Sequence, residues 1–490
     1  MESGGRARGL MMALLALAST AALLYFGNGL DPRWPLMWFA PLPVLVYALR
    51  SSAWRAGLVT FAAMLAGCLN FWSYFHVLGA PRMAWVGSFG LEALVFAASV
   101  LLVRALTRRG AVWSAWLALP AAWVAFEYVR NRWLWPHGSA ACLGYSQLNF
   151  LPFLQLASLT GPWGMSFVLL LFAAGLALGI HWWGAQRGRA VRVLGATAGV
   201  VAAVLIFGAV RLAGRQPGPV VKVGLVASDQ AGKPGGVEEP GAPTEKMFAQ
   251  YAQAAEGLAA RGAQVVVIPE NLGVVLEPQL RTVDGILQGV ADRTGAVVVA
   301  GMLHISGNVL HNEARIYTPR AAVRSYDKEH LLPPFESRFT PGTSRAVLGG
   351  MGGNADETWG VAICKDMDFT EPARGYGRAG VGLMLVPAWD FRVDGFWHGH
   401  IAVMRAVEDG FSLARSARNG MLTVTDDRGR VVAETASNAA EFATQLTEVP
   451  AGHEGTLFQW WGDWFGWCAV GLLVLMLGRL WLGPRTSTEG

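Results

Sequence analysis

The spacing of apolar positions divides the chain into two kinds of sequence. Apolar runs long enough to cross about 30 Å of hydrocarbon lie near 10–27, 35–49, 56–78, 84–106, 112–129, 163–183 and 193–213, with an eighth near 465–482. The 35–49 run is short and broken by prolines (PLMWFAPLPVL). From Pro217 the pattern changes, and short β-branched runs alternate with helical stretches. VVKVGLVA, QVVVIP and AVVVAGML predict strands, separated by helices near 244–261 and 277–293. Further strands are predicted near 312–318, 321–327, 357–364, 381–387, 411–417 and 421–425, with a helix at 400–409. Strands alternating with helices predict a layered α/β domain. Residues 229–243 (DQAGKPGGVEEPGAP) and 349–356 (GGMGGNAD) read as loops. The expected organisation is a polytopic α-helical membrane bundle of about eight spans plus one α/β domain. Residues 1–215 would carry about seven spans, 216–460 the soluble domain, and 461–490 a last span with a short tail.

Composition agrees with that division. Of 490 residues 53% are hydrophobic and only 15% charged, against about a quarter charged in ordinary soluble domains, which excludes a single soluble globule. The formal charge of +5 hides two opposite halves: residues 1–215 hold 16 Arg, no Lys and 4 acids, while 216–460 hold 21 basic and 28 acidic residues. Nucleic-acid binding needs basic residues clustered on a folded face. Here the basic excess lies between apolar runs, so no nucleic-acid partner is expected. Arg6 and Arg8 precede the first run, Arg50 and Arg55 the third, Arg104, Arg108 and Arg109 the fifth, and Arg187, Arg189 and Arg192 the seventh; Arg479 and Arg485 follow the eighth. With seven crossings before the domain all these clusters share one side, which the positive-inside rule makes the cytoplasm. The domain is then expected outside the cytoplasmic membrane, and a count changed by one would invert that. The first 27 residues have the basic start and apolar core of a signal peptide, but apolar runs follow directly and the segment reads as the first span.

Trp34, Trp38, Trp113, Trp182, Trp183, Trp460 and Trp461 suit interfacial belts. Polar residues inside apolar spans are expensive; Asn70, His76, Glu92 and Glu127 are such residues. Glu127 has Arg130 one helical turn on, the spacing of a local ion pair. The stretch 131–161, rich in Trp, Pro and Gly, is too broken for a clean span and reads as a loop or re-entrant segment on the outer face.

Candidate chemistry concentrates at strand ends in the soluble domain. Cys68, Cys142 and Cys468 lie in apolar or membrane-border sequence, and Cys364 alone belongs to the domain, so it has no intradomain disulfide partner. It ends the apolar strand GVAIC, at the sheet edge where α/β folds place reactive groups. Glu270 likewise ends VVVIPE, and Lys328 follows AAVRSYD. A thiol of pKa about 8.5 needs a base or a cation to become a good nucleophile. A carboxylate can take its proton, and an ammonium can stabilise the oxyanion formed on a carbonyl. No metal is expected: HGH at 398–400 has i, i+2 spacing, His304, His311, His330 and His453 are dispersed, and there is no HExxH or CxxC. GMGG near 351 lacks the Lys and Ser/Thr of a phosphate loop, so no nucleotide or other cofactor is implied.

At these residues the chain resembles the nitrilase, or carbon–nitrogen hydrolase, superfamily, which uses Glu, Lys and Cys in this order on an α-β-β-α sandwich. The matching stretches are VVVIPENLG with Glu270, YDKEHLLPPFE with Lys328 and VAICKDMDF with Cys364. Glu336 matches a further family glutamate that positions the site, and MRAVEDGFSLARSARNG, with Arg405, Glu408, Arg415 and Asn419, resembles the family's helix-then-strand segment. EYVRNRW, LGYSQ and LQLASLTGPWGMSFVLL are similar to the membrane part of the apolipoprotein N-acyltransferase family. That resemblance implies transfer of an acyl chain from a membrane phospholipid, through a Cys364 thioester, to the amine of a diacylglyceryl-cysteine lipoprotein. It implies a multi-pass inner-membrane enzyme, expected to be a monomer, with Glu270 as base and Lys328 and the backbone N–H of Lys365 holding the oxyanion. Two positions depart from the family: Lys365 and Asp366 follow Cys364 where an aromatic and then an acid are usual, and the 229–243 loop has no aromatic. Two other functions fit the triad: a membrane-tethered amidase acting on a small amide, and acylation of a different amine.

Overall fold

The structure, a computed structural model, describes residues 2–79, 81–134, 138–139, 141–214, 216, 218–229, 239–333, 335–351 and 357–482. Most of the 229–243 loop, the end of the 349–356 loop, Arg215, Pro217 and Arg485 lie outside the described residues. Two compact units form: Met1–Leu212 with Trp461–Gly490, and Ala213–Trp460.

The first unit is helical. Among the described residues, seven helices are long and apolar enough to cross a membrane: Arg6–Gly27, Ala53–Val77, Arg82–Arg108, Val112–Trp133, Ala157–Trp182, Arg187–Ala213 and Trp464–Trp481. Ala157–Trp182 is the most enclosed of these. Gly208 lets the Arg187–Ala213 helix pass tightly over the backbone of Pro152, since a β-carbon there would meet the Pro152 carbonyl. The single helix expected over 35–49 is instead two, Trp34–Phe39 and Leu42–Arg50. Pro41 and Pro43 supply no N–H to continue a helical ladder.

That broken pair still connects the two ends of the bundle. At its start, Gln147 donates to the Trp34 carbonyl and accepts from the Trp38 indole, both at 2.9 Å. At its finish, Arg104 donates to the carbonyls of Ala48 at 3.0 Å and Ser51 at 2.6 Å. The Arg104 end also gathers Arg109 against the Leu480 carbonyl and Arg479 against Ser114 at 3.3 Å. Beside them a cavity of about 290 Å³ is lined by Arg189, Arg192 and Arg479. Arg104, Arg109, Arg189, Arg192 and Arg479, from the clusters around the fifth, seventh and eighth apolar runs, therefore lie at one end of the bundle.

Two expectations about the spans change. Arg130 pairs with Glu92 at 2.5 Å rather than with Glu127. Glu127, fully buried, accepts from the Trp123 indole at 2.9 Å and the Leu143 N–H at 2.7 Å, pinning the LGYSQ segment. Trp38 and Trp182 are buried in the helical packing rather than placed at an interface.

The second unit is an α-β-β-α sandwich. Its strands are β1 (Val220–Ala227), β2 (Val265–Ile268), β3 (Val274–Leu276), β4 (Val297–Ser306), β5 (Val309–Tyr317), β6 (Arg324–Asp327), β7 (Ala346–Gly349), β8 (Thr358–Val361), β9 (Leu383–Trp389), β10 (Ser412–Arg418), β11 (Met421–Thr425), β12 (Val431–Ala436) and β13 (Ala443–Pro450). One sheet runs β13-β1-β2-β4-β5-β6 with β3 on β4; the other runs β12-β11-β10-β9-β8-β7. Alternation within strands builds both faces. Val221, Val223 and Leu225 of β1 meet Trp359, Val361, Leu383 and Leu385 between the sheets. Val226, Val266 and Ile268 turn outward to Phe248, Tyr251, Val283 and Leu287 of the helices Ala242–Ala260 and Glu277–Thr294. On the second sheet lie helices Thr370–Arg378 and Gly395–Asp409.

Candidate active site

Three strand ends deliver the predicted residues. After β2, Pro269 leads to Glu270, whose N–H reaches the Ala388 carbonyl at 3.3 Å. After β6, the Lys328 N–H donates to the Asn312 carbonyl at 2.9 Å. After β8, Cys364 opens a tight 3₁₀ turn, Cys364–Asp368, with φ 44°. A left-handed backbone at a residue with a β-carbon costs of order 1–3 kcal/mol and persists where its surroundings over-determine it. Asp366 supplies that constraint: its carboxylate accepts from the Ile363 N–H at 3.0 Å, the His330 N–H at 2.7 Å and the Tyr326 hydroxyl at 2.8 Å.

Glu270, Lys328, Glu336 and Cys364 are all buried. Lys328 Nζ donates to Glu270 Oε1 at 2.8 Å and to both Glu336 oxygens, at 3.0 and 2.9 Å. Asn312, from the middle of β5, donates to Glu270 Oε1 at 2.6 Å and Glu336 Oε1 at 2.5 Å. Burial works against the Lys328 ammonium, yet the two carboxylates outweigh it and hold its pKa well above the ordinary lysine range. Burial raises Glu270, with Lys328 opposing. Burial and then the Glu270 charge push the Cys364 thiol up, while Lys328 and Arg415 pull it down. The resting group is therefore a thiol, and its Sγ lies 3.5 Å from the Trp389 carbonyl, to which it donates.

A second charged cluster adjoins the sulfur. Arg415 of β10 clamps Asp390 with two hydrogen bonds of 2.9 and 2.5 Å. His398 sits with Nδ1 2.9 Å from Asp390 and Nε2 3.2 Å from Asp368. Lys365, predicted as a backbone donor, turns its ammonium to Asp368 at 3.0 Å. Cys364 Sγ, an Asp390 oxygen and a His398 ring nitrogen lie within 4.8 Å of one another. These three donors lie close enough to share an ion, but Arg415 already occupies both Asp390 oxygens.

Sequence reasoning found Glu270, Lys328, Glu336, Cys364 and Lys365 but gave no role to Asn312, Asp390 or His398. Asn312 carried a faint signal, a polar residue within a predicted strand.

Residues 20–175 match the apolipoprotein N-acyltransferase N-terminal domain, and residues 225–453 match the carbon-nitrogen hydrolase family. Together the two matches cover most of the chain, and they align it with the apolipoprotein N-acyltransferase family. It is 29% identical to the apolipoprotein N-acyltransferase of Geobacter metallireducens over 96% of this chain and 94% of that one. It is 27% identical to that of Gloeobacter violaceus over 99% and 97%. A nitrilase of Pyrococcus abyssi is 29% identical over 29% of this chain and 59% of its own. Among solved structures, an amidase from Nesterenkonia sp. aligns at 21% identity and TM-score 0.40 over 47% of this chain and 90% of that one. The chain is a bacterial membrane protein that joins apolar helices to a nitrilase-like domain.

Proposed function

We propose that this chain is an N-acyltransferase that moves a fatty acyl chain from a membrane phospholipid, through a thioester on Cys364, to the N-terminal amine of a diacylglyceryl-cysteine lipoprotein. The observation that carries it is a strained, buried cysteine beside a lysine ammonium held between two carboxylates, in a chain whose helical part matches the acyltransferase family rather than the soluble amidases. Glu270 takes the thiol proton, and the thiolate attacks the ester carbonyl. The Lys328 ammonium and the Lys365 backbone N–H hold the oxyanion, and a lysophospholipid leaves. Glu336 and Asn312 keep Lys328 and Glu270 in position. The amine then attacks the thioester, giving an amide in a ping-pong cycle. A thioester suits this task because amines attack it readily.

Both substrates would be lipids, so a membrane-borne enzyme meets them in the leaflet where they reside. The arginine-rich end of the bundle supports a cytoplasmic assignment for that end and an extracytoplasmic one for the catalytic domain. The test is incubation of wild-type and Cys364→Ser protein with a labelled phospholipid, followed by mass spectrometry of the protein. An acyl adduct on Cys364 in the wild type, with none at that position in the variant, is expected. Acyl transfer by the variant at the wild-type rate would sink the proposal, and ammonia release from small amides without any lipid adduct would favour an amidase.

A further inference from the structure

The triad chemistry leaves the second buried cluster without a task, and a histidine is at its centre. His398 lies in the first turns of Gly395–Asp409, its side chain only 11% exposed. Asp390 and Asp394 face it from the segment before the helix, at 2.9 and 3.9 Å, and Asp368 faces it from the nucleophile turn at 3.2 Å. Lys365 and Arg415 complete the charged surroundings through their pairs with Asp368 and Asp390. Burial disfavours the charged ring, but Asp368 and Asp390 prevail and push its pKa up to about 10. Neither ring nitrogen makes a hydrogen bond of good geometry. Each ring N–H is thus held close to a carboxylate, Nδ1 to Asp390 and Nε2 to Asp368, without a well-aligned bond to either.

We infer that His398 is a second proton carrier of this site, the acid that protonates the oxygen leaving an ester donor as Cys364 takes its acyl chain. The inference rests on the thioester reading above. A ring nitrogen lies within 4.8 Å of Sγ. The leaving oxygen on the attacked carbon stands roughly 3 Å from that sulfur, so an oxygen on the His398 side of it can come within the roughly 2.6–3.2 Å that proton transfer needs. Glycerol alkoxide is a strong base and departs poorly without a proton. Glu270 has meanwhile accepted the thiol proton, and its Oε1 is engaged by both Lys328 and Asn312.

The protons balance with two carriers. In the first half, the Cys364 S–H proton passes to Glu270, the S–C bond forms, the C–O bond breaks, and the leaving oxygen takes the His398 proton. The products are the thioester, a lysophospholipid, neutral His398 and protonated Glu270. In the second half, a neutral amine attacks, the C–N bond forms and the C–S bond breaks. The surplus amine proton goes to His398, and Glu270 returns its proton to the thiolate.

The test compares full-length wild-type, His398→Gln and His398→Asn proteins in detergent, by single-turnover formation of the Cys364 thioester. Two donors are used: a phospholipid, and the p-nitrophenyl ester of the same fatty acid, whose phenolate leaves unprotonated. With the phospholipid the variants should slow by about 10²-fold or more; with the nitrophenyl ester they should stay within a few-fold of wild type, which also shows an intact site. Equal slowing with both donors, or slowing with neither, overturns the inference. A wild-type protein that forms no thioester from phospholipid overturns the underlying acyltransferase reading instead.

Discussion

Gly301 of β4 lies so close to Glu270 that a β-carbon on it would stand 2.5 Å from both the Glu270 Cα and the Pro269 carbonyl oxygen. The contact is backbone against side-chain position, so no rotamer change relieves it. Gly301→Ala must push the Glu270 backbone off its place, at a cost of about 1–3 kcal/mol for overpacking a tight site. A carboxylate displaced by even 1 Å from its proton partner loses on the order of 10²-fold in rate. Expected, then, is a folded protein with acyl transfer reduced by about that factor. Wild-type rates in Gly301→Ala would show that the Glu270 position is not critical.

The amide of Asn312 bridges Glu270 and Glu336 at 2.6 and 2.5 Å. Its hydrogen bond favours the ionised form of Glu270 and lowers a pKa that burial has raised. Asn312→Leu removes that bond and leaves two buried carboxylates each short of one donor, a loss of about 1–3 kcal/mol per group. The Glu270 pKa should rise further. Because the base must be ionised, the acid limb of the kcat/KM profile should move to higher pH in the variant. An acid limb that stays put or moves down would show that Glu270 is not the base.

The triad was legible because each member closes a short apolar run, and the pattern that reveals a strand also reveals its end. Asn312 was not, because its partners arrive from β2 and from the loop after β6, and no local spacing encodes them. The HGH motif shows the same limit from another side. Its i, i+2 spacing does point the rings apart: His400 goes to Glu434 at 3.2 Å, His398 to Asp368 and Asp390. The spacing argued against a shared metal but was silent on acids 30 and 8 residues upstream. Glu127 and Arg130 had ideal helical spacing and still separated, since Glu92 gave Arg130 a partner and Leu143 gave Glu127 a backbone donor. β13 escaped detection because its ATQLTEVP is half polar, and its pairing with β1 is set by register rather than by hydrophobicity.

Stability should register the His398 charge. Its folded pKa of about 10 lies above the ordinary value of about 6.5. A raised histidine contributes stability that is fully present below about pH 6.5 and is lost as pH climbs through about 10. His398→Gln removes this contribution. The gap in thermal midpoint between wild type and variant, measured in detergent, should be widest near pH 6 and narrow steadily toward pH 10. A gap that widens with pH would mean that the ring is neutral in the folded protein.

The topology makes the most direct prediction. Asp31 is exposed and precedes Trp34 at the Gln147 end of the bundle. Gln186, exposed, precedes the Arg189 and Arg192 cluster at the other end. If the arginine-rich end is cytoplasmic, the two positions face opposite compartments. In a Cys468→Ser background, which removes the exposed native thiol, Asp31→Cys should react with a membrane-impermeant maleimide on intact spheroplasts. Gln186→Cys should react only after permeabilisation. The reverse pattern would place the catalytic domain in the cytoplasm and rule out a lipoprotein acceptor in the outer leaflet. Labelling of both from outside would mean that Trp34–Phe39 and Leu42–Arg50 do not cross together, and that the odd number of crossings before the domain is wrong.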